Sequence, residues 1–365
     1  MAVYPEKMDL EDMKKYITTA KANNFKIVWT ALLQLDEHEL ASKTGTIQKY
    51  KEILKFSKEN DMINIIDVNQ RILNAINFDG DFKFFAELNI DVVRFDSPMS
   101  PQQLANLTFN DYGIKIELNM DNNDYLLDET LHYGGIKDNI LGSHNFYPQK
   151  YCGISKAFYQ TTSKKFKNLG IETSAFVSTK NPKRIANWDV DDFCCTLEDL
   201  RGLNLISQVN YLWSSNLTDN VIICNAYASN KELEALGKLN PYYVNLQVVL
   251  QTNISDIEKT IIFDEEHFRR ADINPYFIRS TQSRVKYKSK AFPPNQTKQS
   301  YEIGDVLIGN DDFSLYKGEL QLAIAKSEAD ARKNLVAQVI VDDLLSLENI
   351  NSYTKFKFIL ADEMH

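Results

Sequence analysis

No run of about 18 consecutive apolar residues occurs in this chain of 365 residues, so a membrane-crossing helix is not expected. The opening "MAVYPEKMDLEDM" carries acidic residues and no apolar core segment, so a secretory signal is not expected either. Cysteine is scarce. Cys152, Cys194, Cys195 and Cys224 show no C-x-x-C spacing, which excludes a disulfide framework or thiolate metal site and fits reduced thiols in the cytoplasm. There are five histidines and no H-x-H pair, which weakens metal chemistry. Neither a P-loop nor G-x-G-x-x-G occurs, so no nucleotide cradle, cofactor or resident metal is expected. Basic charge is also short: the formal net charge is -9 and the pI about 5.2. A general nucleic-acid surface needs a basic face, and none is expected here.

What is abundant is aromatic: 18 Tyr and 20 Phe, more than core filling alone requires and suited to walls for sugar rings. The first 240 residues alternate apolar strand-like runs with amphipathic stretches. Strands are expected at 2–4, 26–32, 62–67, 91–95, 113–118, 139–143, 170–177 and 220–225. Helices are expected at 10–22, 46–59, 81–88, 155–168 and 231–239. Near-continuous apolar strands such as "KIVWTALL" and "VIIC" suit a parallel sheet covered on both faces. Eight of them alternating with helices predict an α/β fold, a (β/α)8 TIM-type barrel over 1–240. After that the pattern shortens: "NLQVVLQT", "KTIIF", "SRVKYKS", "SYEIGDVLI", "QLAIAKS", "VAQVIV" and "TKFKFIL" predict a small, mostly β domain over 243–365. No internal repeat or Gly/Ser-rich linker separates the two, and a homo-oligomer stays open.

In such a barrel the reacting groups project from the carboxyl ends of the strands. Those ends carry Tyr4 and Glu6, Thr30, Asp67 and Asn69, Arg94 and Asp96, Glu117 and Asn119, His144 and Asn145, and Asn225 with Tyr227. Asp67, Asp96 and Glu117 lie on three successive strands and supply the paired carboxylates that general acid–base chemistry needs. Each has a plainer reading. Asp67 could cap the next helix, Arg94 and Asp96 could be a structural ion pair, and His144 could be a satisfied buried histidine. Cations for an anionic group are offered by Lys180, Lys183, Arg184 and Arg201 in the barrel. In the second domain they are offered by His267, Arg269, Arg270, Arg279 and Arg284. Asp311–Asp312 reads as a turn.

The segments "VYPE", "DVN", "IELN", "HNFYP…GIS", "TLEDLR", "NAYAS", "IRSTQSR" and "YKGELQ" together resemble the bacterial 6-phospho-N-acetylmuramidases, in order from Val3 to Phe358. The most specific pieces are His144–Pro148, Asn225–Ser229 and Tyr316–Gln321. The resemblance implies a TIM-type barrel followed by a cyclophilin-like domain. It implies hydrolysis of the β-1,4 bond between N-acetylmuramic acid 6-phosphate and N-acetylglucosamine, in the cytoplasm, during recycling of cell-wall sugar. The partner is then a phosphorylated muramyl disaccharide. Asp96 and Glu117 are the expected catalytic pair, with Asp67 in reserve. Binding falls to Tyr4, Arg94, Asn119, His144, Asn145, Tyr147, Lys183, Arg184, Arg201, Asn225, Arg279 and Arg284, with Phe146 and Tyr147 as wall. One departure stands out: Asn225, after Cys224, takes a place where the family usually has Asp. Two other readings compete. One is a metal-dependent sugar-phosphate lyase or isomerase using His144, Asp67 and Glu117. The other is a binder of phosphorylated amino sugar that lacks turnover because of Asn225.

Overall fold

The computed structural model describes residues 1–33, 35, 45–97, 99–295 and 298–361. The chain folds as two compact units, one of Met1–Val209 with Asn216–Lys238, the other of Asn210–Ser215 with Leu239–His365.

The first unit is built on a parallel sheet. Its strands are β1 (Ile27–Ala31), β2 (Ile63–Asn69), β3 (Val92–Asp96), β4 (Lys115–Asn119), β5 (Ile140–Ser143), β6 (Thr173–Val177) and β7 (Asn220–Ile223), and they pair in sequential order. The eighth strand expected at 2–4 is shorter than its pattern suggests, but it closes the ring. Ala2 N–H donates to Ile223 O (2.8 Å), Val3 N–H to Trp29 O (3.0 Å), and Trp29 N–H to Met1 O (2.9 Å). Ile66, Val68, Val93, Phe95, Ile116 and Leu118 point outward and are buried under helices, as a sheet covered on both faces demands. Helices Leu10–Ala22 and Thr46–Glu59 keep the expected bounds. The second buries Ile47, Tyr50, Ile53 and Leu54 along one stripe, each contributing roughly 1.5–3 kcal/mol.

The strands of the second unit's main sheet are β8 (Val244–Leu250), β9 (His267–Phe268), β10 (Phe277–Ser280), β12 (Asp305–Gly309), β13 (Leu320–Ala323), β15 (Lys333–Val339) and β16 (Lys355–Leu360). They form one mixed sheet in the order β10-β13-β12-β15-β8-β16-β9. Separate from it is a two-stranded ribbon of β11 (Ser300–Tyr301) and β14 (Ser327–Glu328). One sheet face carries the main core of Val306, Ile308, Leu320, Leu322 and Val336, and the other a smaller cluster of Tyr301, Leu307, Ala323 and Leu335. Two expected strands here are helices. "KTIIF" falls in Asp256–Asp264, where Ser255 and Glu258 form a reciprocal capping box that outweighs the β-branched run. "SRVKYKS" begins in Gln282–Lys286, with Val285 72 % exposed rather than buried on a strand face. Among the described residues no helix is long and apolar enough to cross a membrane.

Candidate active site

Parallel register sets Asp67 of β2 beside Arg94 of β3, and Arg94 beside Glu117 of β4. Residues paired across a sheet share a face, so all three side chains turn into the barrel interior, where each is 3 % exposed or less. Arg94 is the hub. Its Nη1 donates to Asp67 Oδ2 (2.9 Å), its Nε to Ser143 Oγ (2.9 Å), and its Nη2 to Asn145 Oδ1. Glu117 Oε1 stands 3.9 Å from Arg94 Nε. Among the described residues neither Glu117 oxygen nor Asp67 Oδ1 finds a hydrogen-bond partner. Two carboxyl groups thus share one guanidinium in a buried layer. Burial pushes the Asp67 carboxyl up to about 7, with Arg94 opposing and Asp96 and Glu117 adding to the rise. Burial also raises Glu117 against the pull of Ser143 and Arg94. A carboxyl that keeps its proton near neutral pH can act as a general acid.

Asp96 lies two residues beyond Arg94 on β3, on the same side of the strand but one level higher. Its side chain is 46 % exposed, with Oδ1 3.9 Å from Arg94 Nη1. The expected catalytic carboxylates therefore occupy two levels rather than one: Asp96 at the rim, Glu117 and Asp67 beneath it. The sequence shows which face a residue takes, but not its depth. Two plainer readings give way as well. Asn69, not Asp67, caps the helix Gln70–Ala75, and Arg94 pairs with Asp67 more closely than with Asp96. Beside Asp96 opens a cleft of about 390 Å³, lined by Ser97, Asn119, Asn122 and Asp124 together with Phe95 and Leu126. Asn119 borders it, although its Oδ1 is engaged by Asp121 N–H (2.9 Å).

The loop after β5 is held from beneath by Asp121, a residue that the strand-end pattern does not pick out. Asp121 Oδ1 meets His144 Nδ1 at 2.5 Å, and its Oδ2 accepts from Asn145 N–H (2.7 Å) and the Tyr147 hydroxyl (2.8 Å). Burial alone would raise the Asp121 carboxyl, but these bonds outweigh it and hold it below its ordinary value. His144 Nε2 meets Ser163 Oγ at 2.8 Å. Both ring nitrogens are committed and the residue is wholly buried. His144 is thus the satisfied histidine of the plainer reading and positions Asn145 and Tyr147 instead of touching substrate. Nor do its nitrogens meet Asp67 and Glu117 as a shared metal site would require. Among the described residues no cluster of three or more His, Cys, Asp or Glu is arranged to hold a metal. A buried histidine beside a second short polar segment, "NMDNND", was the available signal for Asp121.

Arg201 and Glu198 brace the same loop from the other side. Arg201 Nη1 donates to the carbonyls of Tyr147, Asp192 and Phe193 (2.9–3.0 Å), while its Nε and Nη2 grip Glu198 (both 2.8 Å). Glu198 also accepts from Tyr151 N–H and Gly153 N–H (both 2.7 Å). A Cβ at Gly153 would fall 2.8 Å from Glu198 N, so only glycine admits this approach. Arg201 is therefore a brace, and not the free phosphate-binding cation expected. Arg184 is likewise tied to Asp191 (2.6 Å) and stacks on Phe193. Lys183 is exposed.

Tyr4 is fully buried and donates its hydroxyl to Cys224 O; it offers no face to a sugar. Phe146, edge-on to Trp29 and Phe176, and Tyr147 are half-buried. Asn225 is wholly buried, accepting from Thr179 N–H (2.9 Å) and donating to Thr179 O (3.3 Å). That two-way clamp needs an amide, because a carboxylate cannot donate. In the second unit His267 is core, stacked on Phe356 with both nitrogens bonded. Arg269 ties the carbonyls of Ile350 and Asn274, and Arg270 pairs with Asp272 (2.7 Å). Arg279 and Arg284 converge on Glu319.

The sequence matches the family model described as 6-phospho-N-acetylmuramidase, N-terminal, over residues 1–238, and its C-terminal counterpart over 244–359. An uncharacterized B. cereus protein of known crystal structure is 37 % identical, with 98 % of each chain covered and a TM-score of 0.89. A conserved protein of unknown function from Enterococcus faecalis shares the fold at 21 % identity, with 99 % of this chain and 96 % of that one covered and a TM-score of 0.73. No curated protein matches. The two family matches span nearly the whole chain, and it belongs to the 6-phospho-N-acetylmuramidases, a family of glycoside hydrolases.

Proposed function

We propose that this enzyme hydrolyses the β-1,4 bond between N-acetylmuramic acid 6-phosphate and N-acetylglucosamine, in the cytoplasm, during reuse of cell-wall sugar. One observation carries the chemistry. Neighbouring strands present an exposed carboxyl group, Asp96, above two buried ones, Asp67 and Glu117, both shifted upward by burial, Asp67 to about 7. Glycoside hydrolysis needs this inequality: one carboxyl donates a proton to the leaving oxygen, and the other attacks the anomeric carbon or activates water. Asp96 takes the second role. Glu117 takes the first, with Asp67 holding the shared Arg94. Phe146 and Tyr147 form the sugar wall, Asn119 and Asn145 hydrogen-bond the sugar, and the cleft beside Asp96 receives part of the disaccharide. The second unit is the cyclophilin-like domain that the family resemblance implies.

The test is incubation with the 6-phosphorylated muramyl disaccharide and with its unphosphorylated twin, comparing wild type, Glu117→Gln and Asp96→Asn. Cleavage of the phosphorylated sugar alone is expected. Each variant should lower kcat by a factor on the order of 10² or more, the scale on which a positioned acid or base contributes. Equal cleavage of both sugars, or an Asp96→Asn enzyme with full turnover, would refute the reading.

A further inference from the structure

Two of the sequence segments singled out above, "IRSTQSR" and "YKGELQ", are not used by the barrel chemistry. Both meet on one face of the second unit's sheet. Register places Arg279 of β10 opposite Gln321 of β13, Gln321 opposite Leu307 of β12, and Gly309 of β12 opposite Lys333 of β15. Glu319, buried at 0 %, accepts from Arg279 Nε (2.7 Å) and Nη2 (3.1 Å), from Arg284 Nη1 (2.8 Å) and from Gln321 Nε2 (3.0 Å). Both guanidinium groups lie over the Tyr316 ring, at 5.7 and 5.3 Å, and that ring is 43 % exposed.

Lys333 is the anomaly. It is only 8 % exposed, yet among the described residues no carboxylate lies within ion-pair distance of it. Its ammonium stands over Phe277 (4.2 Å), Phe313 (5.7 Å) and Tyr301 (5.9 Å). Aromatic faces attract a cation without neutralising it, and a buried charge is normally paired. Its pKa is lowered, chiefly by burial. Gln321 Oε1, in a residue 7 % exposed, also lacks a partner among the described residues. Glu319 thus serves both arginines, while Lys333 feels Asp330 and Glu319 only at longer range. Arg284 Nε and Nη2 remain unused among the described residues, and Arg279 Nη1 has only Asp272 at 3.9 Å. Unused donors beside an uncompensated buried ammonium are what a small dianion would complete.

We infer that Arg279, Arg284 and Lys333, with Tyr316 at the edge, form a phosphate-monoester-binding site within the second unit. Only the choice of a phosphorylated amino sugar as ligand rests on the glycosidase reading; the charge imbalance does not.

The test is calorimetric titration of the full chain with inorganic phosphate, a hexosamine 6-phosphate, the unphosphorylated hexosamine, and sulfate at equal ionic strength. Wild type should bind both phosphate probes and not the neutral sugar. Lys333→Met, which keeps the apolar stem, and Arg284→Gln should each weaken phosphate binding at least tenfold while melting as folded proteins. Glu117→Gln should bind phosphate as wild type does. Tighter binding of hexosamine phosphate than of inorganic phosphate marks a sugar ligand, and equal binding marks phosphate alone; either supports the site. Absence of phosphate binding in wild type, binding no tighter than sulfate, or both variants binding like wild type overturns it. Phosphate binding without disaccharide hydrolysis would remove the glycosidase reading and leave this site standing.

Discussion

The two units hold charge clusters of opposite balance. In the barrel, two buried carboxyls share Arg94. In the second unit, Arg279 and Arg284 share Glu319, and among the described residues Lys333 has no carboxylate within ion-pair distance. Burial disfavours whichever charge is in excess. Where acid exceeds base, it shifts carboxyls upward, Asp67 to about 7 and Glu117 above its ordinary value, and a carboxyl so shifted can drive proton transfer. Where base exceeds acid, it leaves a cation short of a counter-ion, which a ligand can supply. One physical rule therefore yields chemistry in one place and recognition in the other.

Removing the shared arginine should break the barrel side most severely. Arg94→Met leaves Asp67 facing Glu117 with no cation and frees Ser143 and Asn145, so unfolding free energy should fall by about 3–5 kcal/mol. Adding Asp67→Asn and Glu117→Gln should recover much of that loss in chemical denaturation. If the triple variant is no more stable than Arg94→Met, charge excess is not what Arg94 relieves.

Asp67 gives a pH signature of nearly the same size. Between its ordinary 3.8 and about 7, the folded chain keeps a proton that the unfolded chain has released. Stability from this group is full below that window and is lost as pH rises through it. Asp67→Asn should therefore gain on wild type as pH climbs, by up to about 4 kcal/mol. A constant difference between the two melting curves across pH would contradict the assignment.

Smaller effects separate brace from binder. Arg201→Met should cost about 1.5–3 kcal/mol for the lost charge-assisted bonds and expose the loop after β5 to protease. Asn225→Asp should cost about 1–3 kcal/mol, since the new oxygen faces Thr179 O, and should bring no gain in turnover. A rise in turnover would revive the reading in which this amide had silenced the enzyme.

Much of the barrel was legible because parallel strands buried on both faces are continuous apolar runs, and the pattern locates the strand ends carrying Asp67, Arg94, Asp96, Glu117 and Asn119. Depth was not legible. A period of two shows that Arg94 and Asp96 share a face, but not that one is sealed and the other exposed. Partners also stayed hidden. Arg184 and His144 read as free binding groups because Asp191 and Asp121 meet them only through loop folding, and Arg201 because the pattern does not show that Glu198, three residues before it, turns onto it. In the second unit "KTIIF" looked like a strand because its β-branched residues are local, whereas the Ser255–Glu258 box that nucleates its helix lies just upstream.

The most direct test is the pH dependence of kcat/KM for the phosphorylated disaccharide in wild type and Asp67→Asn. Because the acid Glu117 shares Arg94 with Asp67, titration of Asp67 near pH 7 is expected to change wild-type kcat/KM above that pH, and the change should be displaced or absent in Asp67→Asn. A wild-type profile flat across ~pH 6–9, or an alkaline limb identical in the two enzymes, would contradict the account.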